Sequence, residues 1–227
     1  MNNHITKFID LLKNIKSPHV FNPWWEGDPE HDLGGDSSRV RREQLSQYLR
    51  ERQKAKFLLV GEGLSYQGGH FTGIAMTSER ILLGHMRHKG ITPEMVFSGI
   101  DPRRSSHPDI KEKGFSENTA TIVWGYLAGA GLDTRDFVFW NAFPWHPYNK
   151  NRGLLSNRAP SPAELESGRP VLKALIQAFQ FQQIVAVGNH AKTQLELMDI
   201  PATKVRHPAF GGATEFKNQM SVILKRS

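Results

Sequence analysis

The chain has 227 residues, of which 38% are apolar and 22% are charged, proportions typical of an ordinary globular protein. It contains no cysteine, which excludes disulfides, iron–sulfur clusters and thiolate zinc sites. Basic residues exceed acidic ones to give a formal net charge of +7, so a polyanion such as nucleic acid is the first partner to consider.

The length fits one domain, and we expect residues 1–227 to form it, with residues 1–55 packing on the core as N-terminal helices and a loop. No stretch approaches the roughly 20 apolar residues of a membrane span. The opening MNNHITKFIDLLKNIK lacks the apolar segment and the cleavage site of a signal peptide. We therefore expect a cytoplasmic location and no membrane contact.

Apolar spacing predicts two helices before the first strand. Residues 5–15 form one of them, and Ser37 or Ser38 begins the other, which ends before Lys56. The intervening FNPWWEGDPEHDLGGD is too rich in proline and glycine for regular structure, and its tryptophans are expected to pin it to the core. The predicted strands are FLLV at 57–60, FVFW at 137–140, IVAV at 184–187 and the weaker ATKVR at 202–206.

Helical patterns separate these strands. The strongest begins at Ser161, because Ser161 and Glu164 form a capping box and Pro162 takes the first helical position. Pro170 is expected to kink or restart this helix. The other predicted helices begin at Thr77 or Ser78 and at Ser116.

Strands that alternate with helices predict an α/β fold with a mainly parallel sheet, whose ligands bind at the carboxyl ends of the strands. Polar groups follow three of the predicted strands: GEG at 61–63, Asn141, and HP at 207–208. We expect these groups to converge on one rim of the sheet, where they can handle an amide-like ring.

The chemistry of these residue types points to a nucleobase. An asparagine amide suits a ring with N–H and C=O side by side, as uracil has, and a buried amide left unpaired rejects cytosine. A histidine beside a base carbonyl stabilises negative charge on a departing ring, and an aromatic side chain stacks on the ring face. Taken singly, Asn141, His207 and Phe71 also fit structural roles as a turn residue, a strand terminator and core.

Two other kinds of site fit less well. A dinucleotide fingerprint requires a third glycine and an immediate helix, whereas this loop has Tyr66 at that position and no helix start before Thr77. His85 and His88 have the spacing of metal ligands on a helix, but no third ligand accompanies them.

The ordered motifs resemble those of the uracil-DNA glycosylase superfamily, most nearly its family 4. Members of the superfamily flip a nucleotide out of the duplex and hydrolyse its N-glycosidic bond, which leaves an abasic site. The resemblance implies a three-layer α/β/α sandwich around a four-stranded parallel sheet, and a hydrolysis that uses no metal. For this chain we expect no cofactor. The motifs that carry it are GEG at 61–63, HFTG at 70–73, Asn141, NRAPSPAE at 157–164 and HPAF at 207–210.

Carried over by position, the resemblance makes Phe71 the ring that stacks on the flipped base and Asn141 the residue that reads its Watson–Crick edge. His207 would stabilise the departing uracil anion, and Glu62 with the Gly63 backbone would position the attacking water.

Gly61 and Gly63 leave room for a nucleotide, and Tyr66 would stack on the base, exclude the methyl group of thymine, or simply pack. Gly168 stands where a cluster-ligating cysteine is expected, so the loops must be held without an iron–sulfur cluster.

The expected DNA contacts lie in two segments. Phe210 occupies the position of a wedge in the base stack, and Arg158 belongs to a basic loop that would contact the DNA backbone. A serine that usually touches a phosphate is replaced by Ala209, and the backbone N–H groups of Gly211 and Gly212 would take over that contact. Pro208 completes the expected set.

The first hypothesis is therefore a monomeric repair glycosylase that acts on DNA containing uracil or another deaminated base. The alternative is a DNA-binding protein of the same fold that has lost cleavage. Its best support is Leu64-Ser65, which replaces Pro-Gly of family 4 in the loop that positions water. A nucleotide-binding protein unrelated to repair comes third.

Overall fold

A computed structural model of the protein describes residues 3–15 and 17–225. The main sheet has four parallel strands in the order β3-β2-β5-β6 and is flanked by helices, so the predicted α/β fold class is confirmed. All four predicted strands belong to it, whereas the two-stranded sheet of β1 and β4 was not predicted. The strands are β1 (Val20–Phe21), β2 (Phe57–Gly63), β3 (Phe137–Phe143), β4 (His146–Pro147), β5 (Gln183–Val187) and β6 (Thr203–Val205).

The longer helices follow the predicted pattern of apolar residues. Within the described chain, none of the helices combines the length and apolarity needed to cross a lipid bilayer. Three short 3-10 helices lie at 87–89, 93–95 and 134–136. The α-helices are α1 (Asn3–Leu11), α2 (Ser37–Arg50), α3 (Gly69–Thr72), α4 (Glu79–Leu82), α5 (Asn118–Gly129), α6 (Pro162–Ala178), α7 (Asn189–Glu196) and α8 (Ala213–Leu224).

The central strands are buried because helices cover the sheet. Every residue of β3 is buried, as are the first five of β2, which explains why both read as continuous apolar runs. Phe57 and Phe137 start the two strands in register and stack at 4.9 Å between ring centroids. The same register sets Gly61 beside Asn141. The polar ends of β2 and β3 therefore lie at the same edge of the sheet.

Helix starts agree with the sequence at some positions and not at others. The Ser161 capping box is present, with Ser161 Oγ accepting from the Glu164 N–H and the Glu164 carboxylate accepting from the Ser161 N–H. The N-cap position of α5 is Glu117 rather than Ser116, with no capping hydrogen bond from its side chain, and α4 is a single turn after Ser78.

Helix α6 continues across Pro170, so the expected restart does not occur. Pro170 removes one hydrogen bond to the carbonyl of Glu166. Both residues lie on the exposed side of the helix, where water can satisfy that carbonyl.

A close contact between α6 and β3 explains Gly168. A Cβ at this position would lie 2.5 Å from the carbonyl oxygen of Ala142 and 3.2 Å from Cα of Phe143. The helix therefore packs directly on the strand where the resemblance expects a cysteine. There is no space for such a side chain, and the packing itself holds this part of the fold.

The irregular segment after β1 is tied to the body of the protein by buried polar contacts. Trp24 is 1% exposed, and its Nε1 donates to the carbonyl of Gly73 at 3.0 Å. Arg41 is fully buried and donates to both carboxylate oxygens of Asp32. These contacts fix the loop in the manner expected from its tryptophans.

Two histidines are sealed inside the fold near β4. Nδ1 of His70 and Nδ1 of His146 lie 2.9 Å apart, and Nε2 of His146 lies 2.8 Å from the carbonyl of Ser156. Burial lowers the pKa of His70 to about 4 and that of His146 to about 3. His146 is therefore part of the interior and is closed to solvent.

We expect Gly168→Ala to lower the free energy of unfolding by about 1–3 kcal/mol, because the added methyl group clashes with the β3 backbone. The matched control is Gly129→Ala, since Gly129 is also helical and a Cβ there meets no atom within 4 Å. Helix propensity predicts that this control gains up to about 1 kcal/mol. Urea unfolding of both variants tests the contact, and equal stabilities would contradict it.

Candidate active site

A solvent-open cleft of about 940 Å³ lies at the carboxyl edge of the main sheet, where parallel α/β folds place their ligands. We call it the strand-end cleft. It is lined by residues 61–65 from the end of β2, by Asn141 from β3, by the first turns of α5, and by residues 157–160 and 207–211. The structure thus brings together the three strand ends that the sequence singled out.

Asn141 presents its amide to the cleft. The residue is only 3% exposed, and within the described residues its side chain makes no hydrogen bond. Gly61 makes this placement possible, because a Cβ there would lie 2.6 Å from Asn141 Oδ1. An amide held in this way favours a ligand that pairs with both its N–H and its C=O groups.

His207 lines the same cleft, and one of its ring nitrogens already accepts a hydrogen bond. The backbone N–H of Ala209 donates to His207 Nδ1 at 3.2 Å, so the neutral ring carries its proton on Nε2. Burial, with a smaller contribution from Arg206, lowers the pKa of His207 below its ordinary value of 6.5. Near physiological pH the ring is therefore a neutral Nε2–H donor.

Glu62 lies between the cleft and a neighbouring groove that contains His190. Its side chain is 30% exposed, and Oε1 lies 3.4 Å from Nδ1 of His190 without the geometry of a hydrogen bond. Burial raises the pKa of Glu62, and the nearby His190 opposes that rise. A partly solvated carboxylate with a raised pKa is suited to take a proton from water.

Phe71 does not line the cleft, which corrects the stacking position expected for it. The residue is fully buried, and its ring stacks on Phe115 with centroids 4.4 Å apart and planes at 15°. Its place in the α3 turn directs the side chain into the core, so no ring face is open to a base.

Met76 lines the cleft instead. Its Cε lies 3.7 Å from the position that a Cβ on Gly61 would take, next to the Asn141 amide. The backbone φ of Met76 is +48°, a left-handed conformation that is uncommon for residues with a Cβ and that recurs at binding sites. A thioether methyl therefore lies beside the amide where an aromatic ring was expected.

Tyr66 lies outside the residues that line the cleft. Its ring meets Phe115 edge to face at 6.1 Å, and its backbone N–H donates to Asn157 Oδ1 at 3.0 Å. The packing role is observed, whereas the two base-binding roles of Tyr66 stay predictions.

Arg158 reaches the cleft, but its guanidinium is committed to other groups. Two of its nitrogens donate to the two carboxylate oxygens of Glu164, each at 2.7 Å, and it also donates to the carbonyl of Tyr148. Burial by itself would raise the pKa of Glu164, but its hydrogen bonds, first among them those from Arg158, lower that pKa to about 2. Arg158 thus anchors residues 157–160 to α6, and the DNA contact expected of it stays a prediction.

Phe210 projects from the lip of the cleft. Its side chain is 97% exposed, and its φ of +53° is a left-handed conformation that costs energy for a residue with a Cβ. An aromatic ring held clear of the protein in this way has the exposure that a wedge requires.

The loop around Phe210 provides fewer free N–H groups than expected. Gly212 donates its N–H to the carbonyl of Ala209 at 3.1 Å. Gly211 has no such partner in the described chain, and it lines the cleft together with Pro208. Only one of the two glycine N–H groups proposed for a phosphate contact is therefore available.

Sequence reasoning missed three residues that the structure places at or beside the site. Met76 has no recognisable sequence signal, and His190 follows a strand in the same way as His207 does. Glu117 lies next to the predicted helix start at Ser116, and helices that follow strands begin at the ligand-binding edge, so its position could have been inferred. Across residues 3–15 and 17–225, no group of three or more His, Asp or Glu is placed to hold a metal ion.

Comparison with known proteins identifies the family of the chain and a solved structure that shares its fold. The sequence profile described as the uracil DNA glycosylase superfamily matches residues 51–224. The crystal structure of wild-type SMUG2 from Pedobacter heparinus matches with a TM-score of 0.65 and 14% sequence identity, covering 100% of this chain and 98% of that chain. No curated protein matches the chain by sequence.

The contact between Ala209 and His207 makes a prediction for NMR of ¹⁵N-histidine-labelled protein. At pH 7 we expect His207 Nδ1 to show the shift of an unprotonated nitrogen and Nε2 to carry the proton, with a pKa below 6.5. His207→Gln identifies the signal. A proton on Nδ1, or titration above pH 6.5, would contradict the tautomer.

Proposed function

The chain belongs to the uracil DNA glycosylase superfamily, and from that premise we propose that it is a DNA-repair glycosylase for uracil or a related deaminated base. In this proposal the enzyme binds the base flipped out of DNA and hydrolyses its N-glycosidic bond, leaving an abasic site. The observation that carries the proposal is the convergence of Asn141, His207 and Glu62 on one cleft.

Base recognition rests on Asn141. Its unpaired amide can accept a hydrogen bond from N3–H of uracil and donate one to O4. Cytosine would place its N3 acceptor against the amide oxygen and its amino group against the amide N–H. The Met76 methyl group next to the amide supplies an apolar, polarisable contact for the ring. The strict placement of Asn141 by Gly61 supports a site that discriminates by pairing rather than by size.

His207 acts on the leaving group. As the C1′–N1 bond breaks, its electron pair passes to the base, and negative charge develops on N1 and O2. A neutral imidazole with its proton on Nε2 donates a hydrogen bond to O2 and keeps that proton throughout. Pre-oriented donors of this kind stabilise developing charge most strongly where water is excluded.

Glu62 acts on the water. The water oxygen forms the new bond to C1′, and its proton passes to the carboxylate, from which the released base can be neutralised. The raised pKa of Glu62 favours this transfer, because a base is most effective when its pKa approaches the working pH. Its position at the end of β2, beside Gly63, places the carboxylate in the same cleft as His207.

The charge and shape of the cleft rim support DNA as the substrate. Lys204 and Arg206 line the neighbouring groove, and the exposed Phe210 separates it from the cleft. Lys150 and Arg152 are exposed on the loop before residues 157–160. These cations can contact phosphates while Phe210 fills the gap left by a flipped nucleotide.

A second candidate is a protein that binds DNA of this kind without cleaving it. The specific observation in its favour is Leu64, which is 4% exposed and lines the cleft in place of the proline of family 4. An apolar side chain there can restrict the space for water beside Glu62.

Excision of uracil from end-labelled oligonucleotides, followed by alkaline strand scission, tests the proposed function. We expect Asn141→Asp and His207→Ala each to lower the single-turnover rate by about 100-fold or more, since each removes a preorganised contact. Asn14→Asp and His85→Ala are matched controls at exposed positions outside the cleft and should retain wild-type rates. Binding without scission on uracil, hypoxanthine and xanthine substrates would favour the second candidate.

A separate experiment tests the wedge. Because Phe210 is almost fully exposed, Phe210→Ala should leave stability unchanged. We expect it to lower excision from duplex DNA about tenfold and from single strands by less than about threefold, since unstacking is needed only in the duplex. Leu197→Ala, at another exposed apolar residue, is the control. Equal losses on both substrates would assign Phe210 a different role.

A further inference from the structure

Glu117 is a second carboxyl group in the strand-end cleft, and it has no part in the roles proposed for Asn141, His207 and Glu62. It immediately precedes α5 and lines the cleft together with Asn118 and Thr119. Although it occupies the N-cap position, its side chain makes no capping hydrogen bond. The usual reason for a polar residue at this position is therefore absent.

The Glu117 carboxyl packs against the main chain without a polar partner. A Cβ on Gly68 would lie 2.1 Å from Glu117 Oε2, so glycine at this position allows the contact. Oε2 is sealed from solvent and has no hydrogen-bond partner among the described residues. The residue as a whole is only partly buried, which leaves Oε1 as the oxygen open to the cleft.

Nothing in the described chain compensates a negative charge on Glu117. Burial is the sole cause that raises its pKa, to about 7, and no cation or hydrogen-bond donor acts on it. Gly68, which it contacts, and the flanking Gln67 and Gly69 are uncharged. An unpaired carboxyl in such a position avoids the cost of a buried charge by keeping its proton. The other ionisable groups that line the cleft are Glu62, Arg158 and His207.

Resting on the glycosylase function proposed above, we infer that Glu117 binds the base, its protonated carboxyl donating a hydrogen bond from Oε1 to a carbonyl oxygen of the flipped ring. Uracil, hypoxanthine and xanthine carry a carbonyl group where their parent bases carry an amino group. An O–H donor forms a hydrogen bond with that carbonyl, whereas in the parent base it would face another donor, the amino group. Glu117 thereby adds to the selection of deaminated bases that Asn141 begins.

Single-turnover excision of uracil from a single-stranded oligonucleotide between about pH 5 and pH 9 tests this role. The wild-type rate should fall as pH rises through about 7, where Glu117 loses its proton. Glu117→Gln keeps an N–H donor at every pH, so the fall should vanish while the rate at pH 6 stays within about threefold of wild type. Glu117→Ala should lose about tenfold or more at pH 6. Glu112→Gln removes the same charge at an exposed position and should behave as wild type.

A second measurement does not depend on activity. A carboxyl whose pKa is higher in the folded than in the unfolded protein loses stabilising effect as pH rises from about 4.5 to about 7. The unfolding free energy of Glu117→Gln relative to wild type should therefore increase between pH 5 and pH 8, and that of Glu112→Gln should not. A flat difference for Glu117→Gln would overturn the protonated state.

These experiments distinguish a wrong assignment of Glu117 from a wrong glycosylase function. If wild type excises uracil and Glu117→Gln keeps the same fall above pH 7, only the assignment of Glu117 is overturned. If wild type excises none of uracil, hypoxanthine and xanthine, the proposed function itself is overturned.

Discussion

The site depends on the parallel register of β2 and β3. Their pairing sets Gly61 directly beside Asn141, so that the absence of one Cβ makes room for the amide oxygen. A slip by one residue would turn Asn141 to the other face of the sheet and bring a side chain against it. The stacked rings of Phe57 and Phe137 help to fix this register from the other end of the strands. Core packing at the start of the strands thus determines polar geometry at their carboxyl ends.

The ionisable groups of the cleft differ in their electrostatic environments. His207 accepts an N–H on one nitrogen and is left with a single donor, while Glu62 remains partly solvated beside His190. Glu117 is packed against backbone and has no partner. One cleft therefore holds a neutral imidazole, a partly solvated carboxyl and a second carboxyl packed without a polar partner, and their local contacts set these environments apart.

The sequence predicted the features that follow from periodicity and capping, and missed those that depend on side-chain direction. Four apolar runs became the main sheet, and Ser161 begins α6 as expected. Because ligand sites of parallel sheets lie at strand ends, the placement of Asn141 and His207 in one cleft was also foreseeable. That Met76 rather than Phe71 lines the cleft was not foreseeable, because a tight turn with two left-handed residues, Gly73 and Met76, decides which side chain points outward. The pairing of Arg158 with Glu164 likewise needs coordinates, because sequence cannot show whether a surface cation is already neutralised.

The intimate contact of α6 with β3 at Gly168 also limits the routes by which this protein could change. A metal-cluster ligand needs volume at that point, and the main chain of Ala142 already fills it. A cysteine at residue 168 would require α6 to move away from β3. A single substitution at this position therefore cannot supply a cluster ligand without disturbing the packing of the helix on the strand.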